Sequence, residues 1–494
     1  MGKEGRARTK GSRMIFDAEK YETRTVTCFG TTVTFRAYEN VPYVEKPASS
    51  RVHRMNIYIP EGYYHNETIN GYTGETAPVY FQNAVGAYME GRMEQPGLHK
   101  PFGQTEEEPN NLFKVLSRGY IGVSALIRGR QTRDDEGKLI GKAPALIVDY
   151  KAAIRFLRHI GGSLPGDYRK IITNGTSAGG ALSAMAGSMG NHPDFEPYLQ
   201  EIGACEGDDT PFAASCYCPI INLENADMAY EWEFCGVNEY FGIKRRRLPN
   251  GRDERTPITG ELSDFEKEMS RELADLFPAY VNGLRLVGPD GENLTLNPDG
   301  TGSFRDYVES LVIDSANREI AHPTAAEYAG RFGKTEAPED KSWLTMENGK
   351  AVSMDFAGWA KEITRLKTPP AFDGMDLTTP ENDEFGLLNG EEVHFTDYAY
   401  EKSGRAGTPA DKHQVKLINP MNYVDDPKAK KTMHWRIRHG ERDRDTSLAV
   451  SAIFVLKLRE QGITVDYSAP WEQPHSGDYD MEELFAWIDR LCRP

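Results

Sequence analysis

The amino-acid sequence predicts an α/β fold in which helices cover both faces of a mostly parallel β-sheet. The chain has 494 residues, of which 39% are hydrophobic and 27% charged, a composition typical of a large globular protein and unlike collagen, coiled-coil or disordered chains. Apolar strand-like segments alternate with helical patterns in the first 220 residues and again after residue 430. A long charged stretch without this rhythm separates the two parts.

The first part begins with segments that alternate as strands over residues 25–60, followed by a buried strand after Ala77 that runs into a glycine-containing loop. NNLFKVLSRG is typical of a helix and YIGVSALI of an apolar strand. A helix is predicted over Ala145–Ile160, and KIITNG is the strand after it. The predicted buried face of that helix consists of Leu146, Tyr150, Ala153, Ile154 and Leu157.

The middle of the chain, residues 223–415, is predicted to be an inserted lid domain. Ser263 and Glu266 form a capping-box pattern at the start of a helix. Its expected apolar stripe is Phe265, Met269, Leu273 and Leu276. LRLVGPDGENLTL is typical of a hairpin, and a second helix follows with Phe304, Tyr307, Val308, Leu311 and Val312.

The α/β rhythm returns with the strand MHWRIRHG, a helix from Ser447 to Gln461, the strand ITVDYSAP and a final helix. Residues 14–222 and 416–494 are therefore predicted to form one catalytic domain interrupted by the insertion. Residues 1–13 are expected to be a disordered leader. They carry no apolar stretch of the kind a secretory signal needs, which predicts a cytoplasmic location.

Charge and cysteine content exclude several classes of function. The formal net charge of −17 disfavours nucleic acid and anionic membranes as partners. The longest uncharged run, Ile171 to Pro193, is rich in Gly, Ser and Asn and is not a membrane span. Six cysteines are too few for a disulfide scaffold, and Cys216 and Cys218 are interpreted as small buried side chains. Neither a metal nor a cofactor is predicted.

The uncharged run contains the strongest chemical signal, Gly175-Thr176-Ser177-Ala178-Gly179, at the junction of a predicted strand and helix. G-x-S-x-G in this context is the nucleophile elbow of α/β-hydrolases, in which a sharp turn projects the serine hydroxyl above the sheet. Ser177 is therefore the predicted nucleophile. The alternative is a tight turn whose serine only caps the helix.

A serine nucleophile needs a base and an orienting carboxylate, which in this fold follow in the order Ser, Asp, His. Asp443 follows the strand MHWRIRHG in an HGxxD arrangement and is the predicted acid. His475 lies after the last strand and before the last helix, and is the predicted base. Each residue taken alone is equally compatible with a solvated loop position.

The oxyanion hole is expected to use the backbone N–H of Ala178 together with that of Gly86 or Ala87, in the loop after the strand that follows Ala77. The sequence does not choose between Gly86 and Ala87. Asp445 has two interpretations: the N-cap of the helix that begins near Ser447, or a carboxylate facing the cleft.

These motifs resemble those of bacterial tannases, which cleave galloyl esters. The resemblance rests on GTSAGG, RHGERDRDTS and PHSGDYDMEELFAWI, and in the insertion on RLKTPPAFD and PENDEFG. It implies that Lys367, Glu381 and Asp445 contact the gallate ring. Fungal tannases and feruloyl esterases are less similar, because they carry paired cysteines where this chain has Thr176 and Ser476. Residues 236–350 show no matching motif.

The resemblance implies a serine esterase that hydrolyses galloyl esters of tannins and simple gallates through an acyl-enzyme. Three adjacent phenolic hydroxyls call for ionised acceptors and a cationic donor, which two carboxylates and a lysine supply. A feruloyl or general aryl carboxylesterase is the alternative enzyme. A small-ligand-binding α/β-hydrolase relative is the alternative without catalysis.

Overall fold

A nine-stranded sheet forms the centre of the protein, in a computed structural model that describes residues 16–100, 106–247, 253–323 and 336–493. The predicted leader, residues 1–13, lies outside the described residues. The strands are β1 Glu22–Cys28, β2 Thr31–Pro42, β3 Arg54–Pro60, β4 Pro78–Gln82, β5 Ile121–Ala125, β6 Asp167–Thr176, β7 Ala213–Tyr217, β8 His434–Arg438 and β9 Thr464–Ser468.

The order of the strands in the sheet is β1-β2-β3-β5-β4-β6-β7-β8-β9. β1, β2, β3 and β5 pair antiparallel, and the six strands from β5 to β9 in this order pair parallel. The predicted mostly parallel α/β fold is therefore confirmed. Because β4, β6, β8 and β9 run in the same direction, the loops that follow them leave the sheet at one edge, where ligands bind in folds of this kind.

Burial follows the position of each strand in the sheet. β4, β5 and β7 are buried at every residue, as expected for parallel strands covered by helices on both faces. β1 lies at the edge and exposes most of its residues in part or in full. The strands of this sheet come from both sides of the predicted insertion, so the two separate parts of the chain share one core.

The helices are α1 Asn111–Ser117, α2 Ala145–Ile160, α3 Ala178–Ser188, α4 Glu196–Glu201, α5 Leu223–Phe234, α6 Asp264–Leu284, α7 Ser303–Ala321, α8 Phe356–Ile363, α9 Pro380–Glu384, α10 Asp397–Lys402, α11 Lys412–Leu417, α12 Met421–Val424, α13 Leu448–Glu460 and α14 Met481–Cys492. α2 has the predicted bounds, and its predicted face is buried. The capping box of Ser263 and Glu266 is present at the start of α6.

The apolar stripe predicted for α6 is wrong at both ends. Phe265 and Leu276 are 50% and 45% exposed. The buried row is Met269, Leu273, Phe277 and Val281. These residues are spaced four apart and form one continuous ridge along the helix. Leu276 lies three residues after Leu273 and is therefore outside this ridge.

The insertion has an aromatic cluster around Trp232 of α5. Its ring centroid lies 5.3 Å from that of Phe277, 5.9 Å from Phe304 and 5.0 Å from Phe356. Two hairpins, Glu239–Arg247 with Asp253–Glu261 and Leu344–Glu347 with Lys350–Met354, were not predicted. The hairpin predicted near residue 290 is reduced to a turn with a single bridge between Val287 and Asn293.

The uncharged run 171–193 contains the end of β6 and the whole of α3, and every residue of α3 is buried. Its small residues let the helix lie close to the sheet, as at Gly187, which faces the buried ring of Trp435. Throughout the described ranges, none of the helices has the length and apolarity needed to cross a bilayer.

We expect Gly187→Ala to destabilise the protein, because the new Cβ would lie 2.6 Å from Cη2 of Trp435 and 3.1 Å from Cβ of Ala214. Overpacking of this kind costs about 1–3 kcal/mol. Urea unfolding measures the change in the free energy of unfolding. Gly162→Ala is the matched control, since its Cβ would meet nothing within 4 Å. Equal stabilities of the two variants would contradict the expectation.

Candidate active site

Ser177 lies at the junction of β6 and α3, with φ 61° and ψ −124°. A positive φ is unfavourable for a residue with a Cβ, so the surrounding structure has to hold this conformation. The backbone N–H of Ser177 donates to Tyr217 O at the end of β7, at 3.0 Å, and its carbonyl accepts from Ala181 N at 2.9 Å. The strained turn is thus anchored to the neighbouring strand and to the first turn of the helix.

The glycines on either side of Ser177 are required by close packing. A Cβ on Gly175 would lie 2.3 Å from the carbonyl oxygen of Gly179. A Cβ on Gly179 would lie 2.5 Å from Oδ1 of Asn83 and 2.8 Å from the carbonyl oxygen of Val85. Asn83 also donates from Nδ2 to the carbonyls of Asn174 and Gly179, each at 3.1 Å. The loop after β4 is therefore bound directly to the turn that carries Ser177.

Asp443 and His475 come from the loops after β8 and β9, and their side chains meet. Nδ1 of His475 lies 2.7 Å from Oδ2 of Asp443. The other oxygen of Asp443 accepts from the backbone N–H groups of Asp445 at 2.8 Å and Thr446 at 3.2 Å. Burial raises the pKa of Asp443, but the nearby imidazole and these N–H donors outweigh it and lower the pKa overall. The carboxylate is therefore ionised at neutral pH.

The surroundings of His475 also shift the pKa of its imidazole. Burial lowers the pKa of its imidazole, but the charge and hydrogen bond of Asp443, together with Cys218 and Asp445, outweigh burial and raise the pKa well above the usual value. An imidazole held this way by a buried carboxylate is a stronger proton acceptor at its other nitrogen. The arrangement suits a general base that takes a proton from a hydroxyl.

Two residues near the acid were missed by sequence reasoning. Nε2 of His439 lies 3.6 Å from Oδ2 of Asp443, and Nδ1 of His439 lies 2.9 Å from Oγ of Ser451. Cys218 donates from Sγ to the carbonyl of Ser476 at 3.3 Å, directly beside His475. Two sequence features could have placed these residues near the acid: His439 is the first residue of the HGxxD pattern, and Cys218 directly follows β7.

Within the described residues, two clusters have side chains of the types that bind metals. The first consists of Cys218, Asp443 and His475, and each of these residues has a potential ligand atom within 4.8 Å of those of the other two. A metal ion there would compete with the hydrogen bond between Asp443 and His475. The second consists of Glu336, Glu362 and Glu472, but Nζ of Lys341 contacts these carboxylates at 2.8, 2.6 and 2.6 Å and already supplies the cation.

Lys367 and Asp445 lie together, as the resemblance implies. Nζ of Lys367 donates to the carbonyl of Asp445 at 2.8 Å and lies 3.6 Å from its Oδ1. It also lies 3.9 Å from the ring centroid of Phe372. The alternative role of Asp445 as a helix N-cap is wrong, because the cap of α13 is Ser447, whose Oγ accepts from Ala449 N at 3.1 Å.

Glu381 lies in the short helix α9 and is buried. It is close enough to Tyr88 that its charge, with that of Glu384, adds to burial in raising the pKa of the tyrosine. Tyr88 directly follows Gly86 and Ala87 in the loop after β4. The insertion thus brings Glu381 to the loop expected to form part of the oxyanion hole, while Ala178 is the first residue of α3.

The comparisons with known proteins agree with this geometry. A family model described as BD-FAE matches residues 106–214. The tannase of Lactobacillus plantarum is 40% identical, with a TM-score of 0.89 over 97% of this chain and 100% of that chain. The tannase of Fusobacterium nucleatum is 42% identical, with a TM-score of 0.88 over 97% and 99%. This chain belongs to the bacterial tannase family.

Tannases are carboxylic ester hydrolases, and the predicted α/β-hydrolase fold and class of reaction are confirmed by these matches. A tannin acyl hydrolase solved in complex with ethyl gallate is 40% identical, with a TM-score of 0.86 over 97% of this chain and 98% of that chain. A catalase-peroxidase of Acidobacterium capsulatum matches only locally, at 30% identity over 165 residues, 32% of this chain and 21% of that protein.

Glu441, two residues before Asp443, joins the acid loop of this tannase to the insertion. It is buried and accepts from Nε1 of Trp359 in α8 at 2.7 Å and from the backbone N–H of Glu472 at 3.2 Å. Burial raises its pKa from 4.5 to about 7. The unfolded chain therefore loses this proton at a lower pH than the folded protein, and stability falls as the pH rises from about 4.5 to about 7.

We expect Glu441→Gln to weaken this pH dependence, because glutamine does not titrate. Between pH 6 and pH 8 the free energy of unfolding should fall less than in the wild type, by about 1 kcal/mol. Urea unfolding at the two pH values measures the difference. The exposed Glu347→Gln is the control and should follow the wild type. Parallel pH profiles for Glu441→Gln and the wild type would refute the assignment.

Proposed function

We propose that this chain hydrolyses galloyl esters with Ser177, His475 and Asp443 as its catalytic triad. The observation that carries the proposal is the 2.7 Å contact between Nδ1 of His475 and Oδ2 of Asp443, on loops that leave the same edge of the sheet as Ser177. The acid loop also holds Asp445, which lies against Lys367 of the insertion. Catalysis and ring recognition thus share one loop.

In the proposed reaction, Oγ of Ser177 attacks the ester carbonyl while His475 accepts the hydroxyl proton. Asp443 holds the imidazole in the required tautomer and balances the charge that forms on it. The N–H of Ala178 and that of Gly86 or Ala87 donate to the oxyanion. His475 returns the proton to the leaving alcohol, which leaves an acyl-enzyme. A water molecule activated by His475 then releases the acid.

Ring recognition is assigned to Lys367, Asp445 and Glu381. The 3.6 Å between Nζ of Lys367 and Oδ1 of Asp445 is too long for a direct hydrogen bond. A phenolic hydroxyl placed between them accepts from the lysine and donates to the carboxylate. Glu381, buried in α9, supplies a second carboxylate. An ester without ring hydroxyls cannot form these bonds, so we expect strong discrimination against it.

The relatives support this substrate class. Tannin acyl hydrolases that are 40% identical to this chain have been solved in complex with ethyl gallate and with 3,4-dihydroxybenzoate, two molecules with adjacent ring hydroxyls. Residues 14–222 and 416–494 are assigned to the catalytic domain, and residues 223–415, which contain Lys367 and Glu381, to the lid that completes the cleft.

We expect Ser177→Ala to lower kcat for methyl gallate by roughly 10⁴-fold or more, because no other hydroxyl replaces the nucleophile. The purified variant should keep the circular dichroism spectrum and the Tm of the wild type. A fluorophosphonate probe should label the wild type at Ser177 and leave the variant unlabelled. Undiminished turnover by the variant would rule out Ser177 as the nucleophile, and an unlabelled wild type would favour a binding protein without catalysis.

The substrate assignment predicts a second pattern. Lys367→Met and Glu381→Gln should each lower kcat/KM for methyl gallate by about 10-fold to 100-fold, since each removes a charged partner of the ring hydroxyls. Their effect on methyl benzoate, which has no ring hydroxyls, should stay within about 2-fold. Turnover of methyl ferulate tests the alternative that the enzyme is a feruloyl esterase. Wild-type enzyme that prefers methyl ferulate or methyl benzoate to methyl gallate would overturn the assignment.

A further inference from the structure

The loop after β4 contains two consecutive residues in the left-handed region, neither of which is glycine. Ala87 has φ 47° and Tyr88 has φ 56°. Such a conformation costs of order 1–3 kcal/mol for each residue and persists only where other groups hold it. Gly86 and Ala87 are the residues proposed to complete the oxyanion hole, so whatever holds this loop also sets the direction of its N–H groups.

Arg130 is bound to both strained residues. Its Nε donates to the carbonyl of Ala87 at 2.9 Å, and its backbone N–H donates to the carbonyl of Tyr88 at 2.8 Å. The residue is 1% exposed, so water does not compete for these bonds. These bonds fix the two peptide planes that follow Ala87 and Tyr88, and so limit the rotation of the adjoining plane, which carries the N–H of Ala87.

The other end of the Arg130 side chain reaches the insertion. Nη1 donates to Oδ2 of Asp383, a buried residue of α9 two positions after Glu381. Oδ1 of Asp383 also accepts from Nε2 of Gln131 at 2.8 Å and from Nζ of Lys142 at 2.5 Å. Arg130, Gln131 and Lys142 therefore all bind the carboxylate of Asp383, and through it they hold α9, the short helix that carries Glu381.

We propose that Arg130 is a positioning residue that joins the oxyanion loop to the helix carrying Glu381, so that ring recognition and carbonyl activation share one rigid support. The inference rests on the proposed function, because it takes the roles of Glu381 and of Gly86 or Ala87 from there. A guanidinium is planar and donates in several fixed directions, which lets one side chain serve both partners. A lysine at position 130 keeps the charge but not this geometry.

The chain supplies two comparison residues. Lys142 binds the same carboxylate, and its described side-chain bonds go to Oδ1 and the backbone carbonyl of Asp383, both at 2.5 Å, with none to the oxyanion loop. Arg155 is another buried arginine, which donates from Nε to Asp209 at 2.9 Å and pairs with Glu196. It lies on α2, and its described bonds reach neither the oxyanion loop nor α9.

The experiment measures two rates on Arg130→Lys, Lys142→Gln and Arg155→Lys. The first is turnover of methyl gallate, as kcat and KM separately. The second is the rate constant for labelling of Ser177 by a fluorophosphonate that carries no aromatic ring, which depends on the oxyanion hole but not on ring recognition. Active sites are counted by the extent of labelling, so that partly unfolded protein does not enter the rates.

Arg130→Lys should lower both kcat for methyl gallate and the labelling rate by about 10-fold or more, since loss of an oxyanion donor costs about 10²–10³-fold. Lys142→Gln should raise KM for methyl gallate severalfold and leave the labelling rate within 2-fold. Arg155→Lys should change neither rate. If Arg130→Lys does not fold, Asp383→Asn tests the same link and should raise KM and lower kcat together.

An unchanged labelling rate in folded Arg130→Lys overturns the inference, as does an equal loss in Arg155→Lys. Failure of the proposed function gives a different result, in which wild-type enzyme is labelled at Ser177 but does not turn over methyl gallate. The labelling rates of the variants still decide the role of Arg130 in that case.

Discussion

The carboxylate of Asp443 is the constraint on which the catalytic edge of this tannase depends. One oxygen contacts the imidazole of His475, and the other binds the N–H groups of Asp445 and Thr446. A single buried charge therefore orients the imidazole of His475, the proposed base, and shapes the turn that presents Asp445 to Lys367. Removing that charge would take a hydrogen-bond acceptor from the imidazole and from both N–H groups at once.

Buried charged and polar groups also attach residues of the predicted insertion to the rest of the chain. Arg130 and Lys142 pair with Asp383, and Glu233 of α5 accepts from Ser447 Oγ and Leu448 N at the start of α13. Burial raises the pKa of Glu233 to about 8, so it is mostly protonated at neutral pH. Separating such groups leaves uncompensated polar atoms, which costs several kcal/mol and gives the boundary a defined orientation.

Local patterns explain why the catalytic elements were predictable. The bounds of α2, the position of β6 and the capping box at Ser263 follow from residues within a few positions of each other. The G-x-S-x-G turn is also local, because the Cβ of Gly175 would meet Gly179 only four residues away. The insertion was less predictable, since its buried ridge on α6 depends on which neighbour packs against it.

By itself, the sequence determined the fold class and the strand-turn-helix around Ser177, because periodicity and short-range sterics encode them. The tertiary structure alone decided that Asp445 faces Lys367 and leaves the helix cap to Ser447. It also decided that Glu381 lies near enough to Tyr88 for its charge to act on the tyrosine, and that Arg130 bridges Ala87 and Asp383. Arg130 and Asp383 are 253 residues apart, and no local pattern records which distant charges will share one buried site.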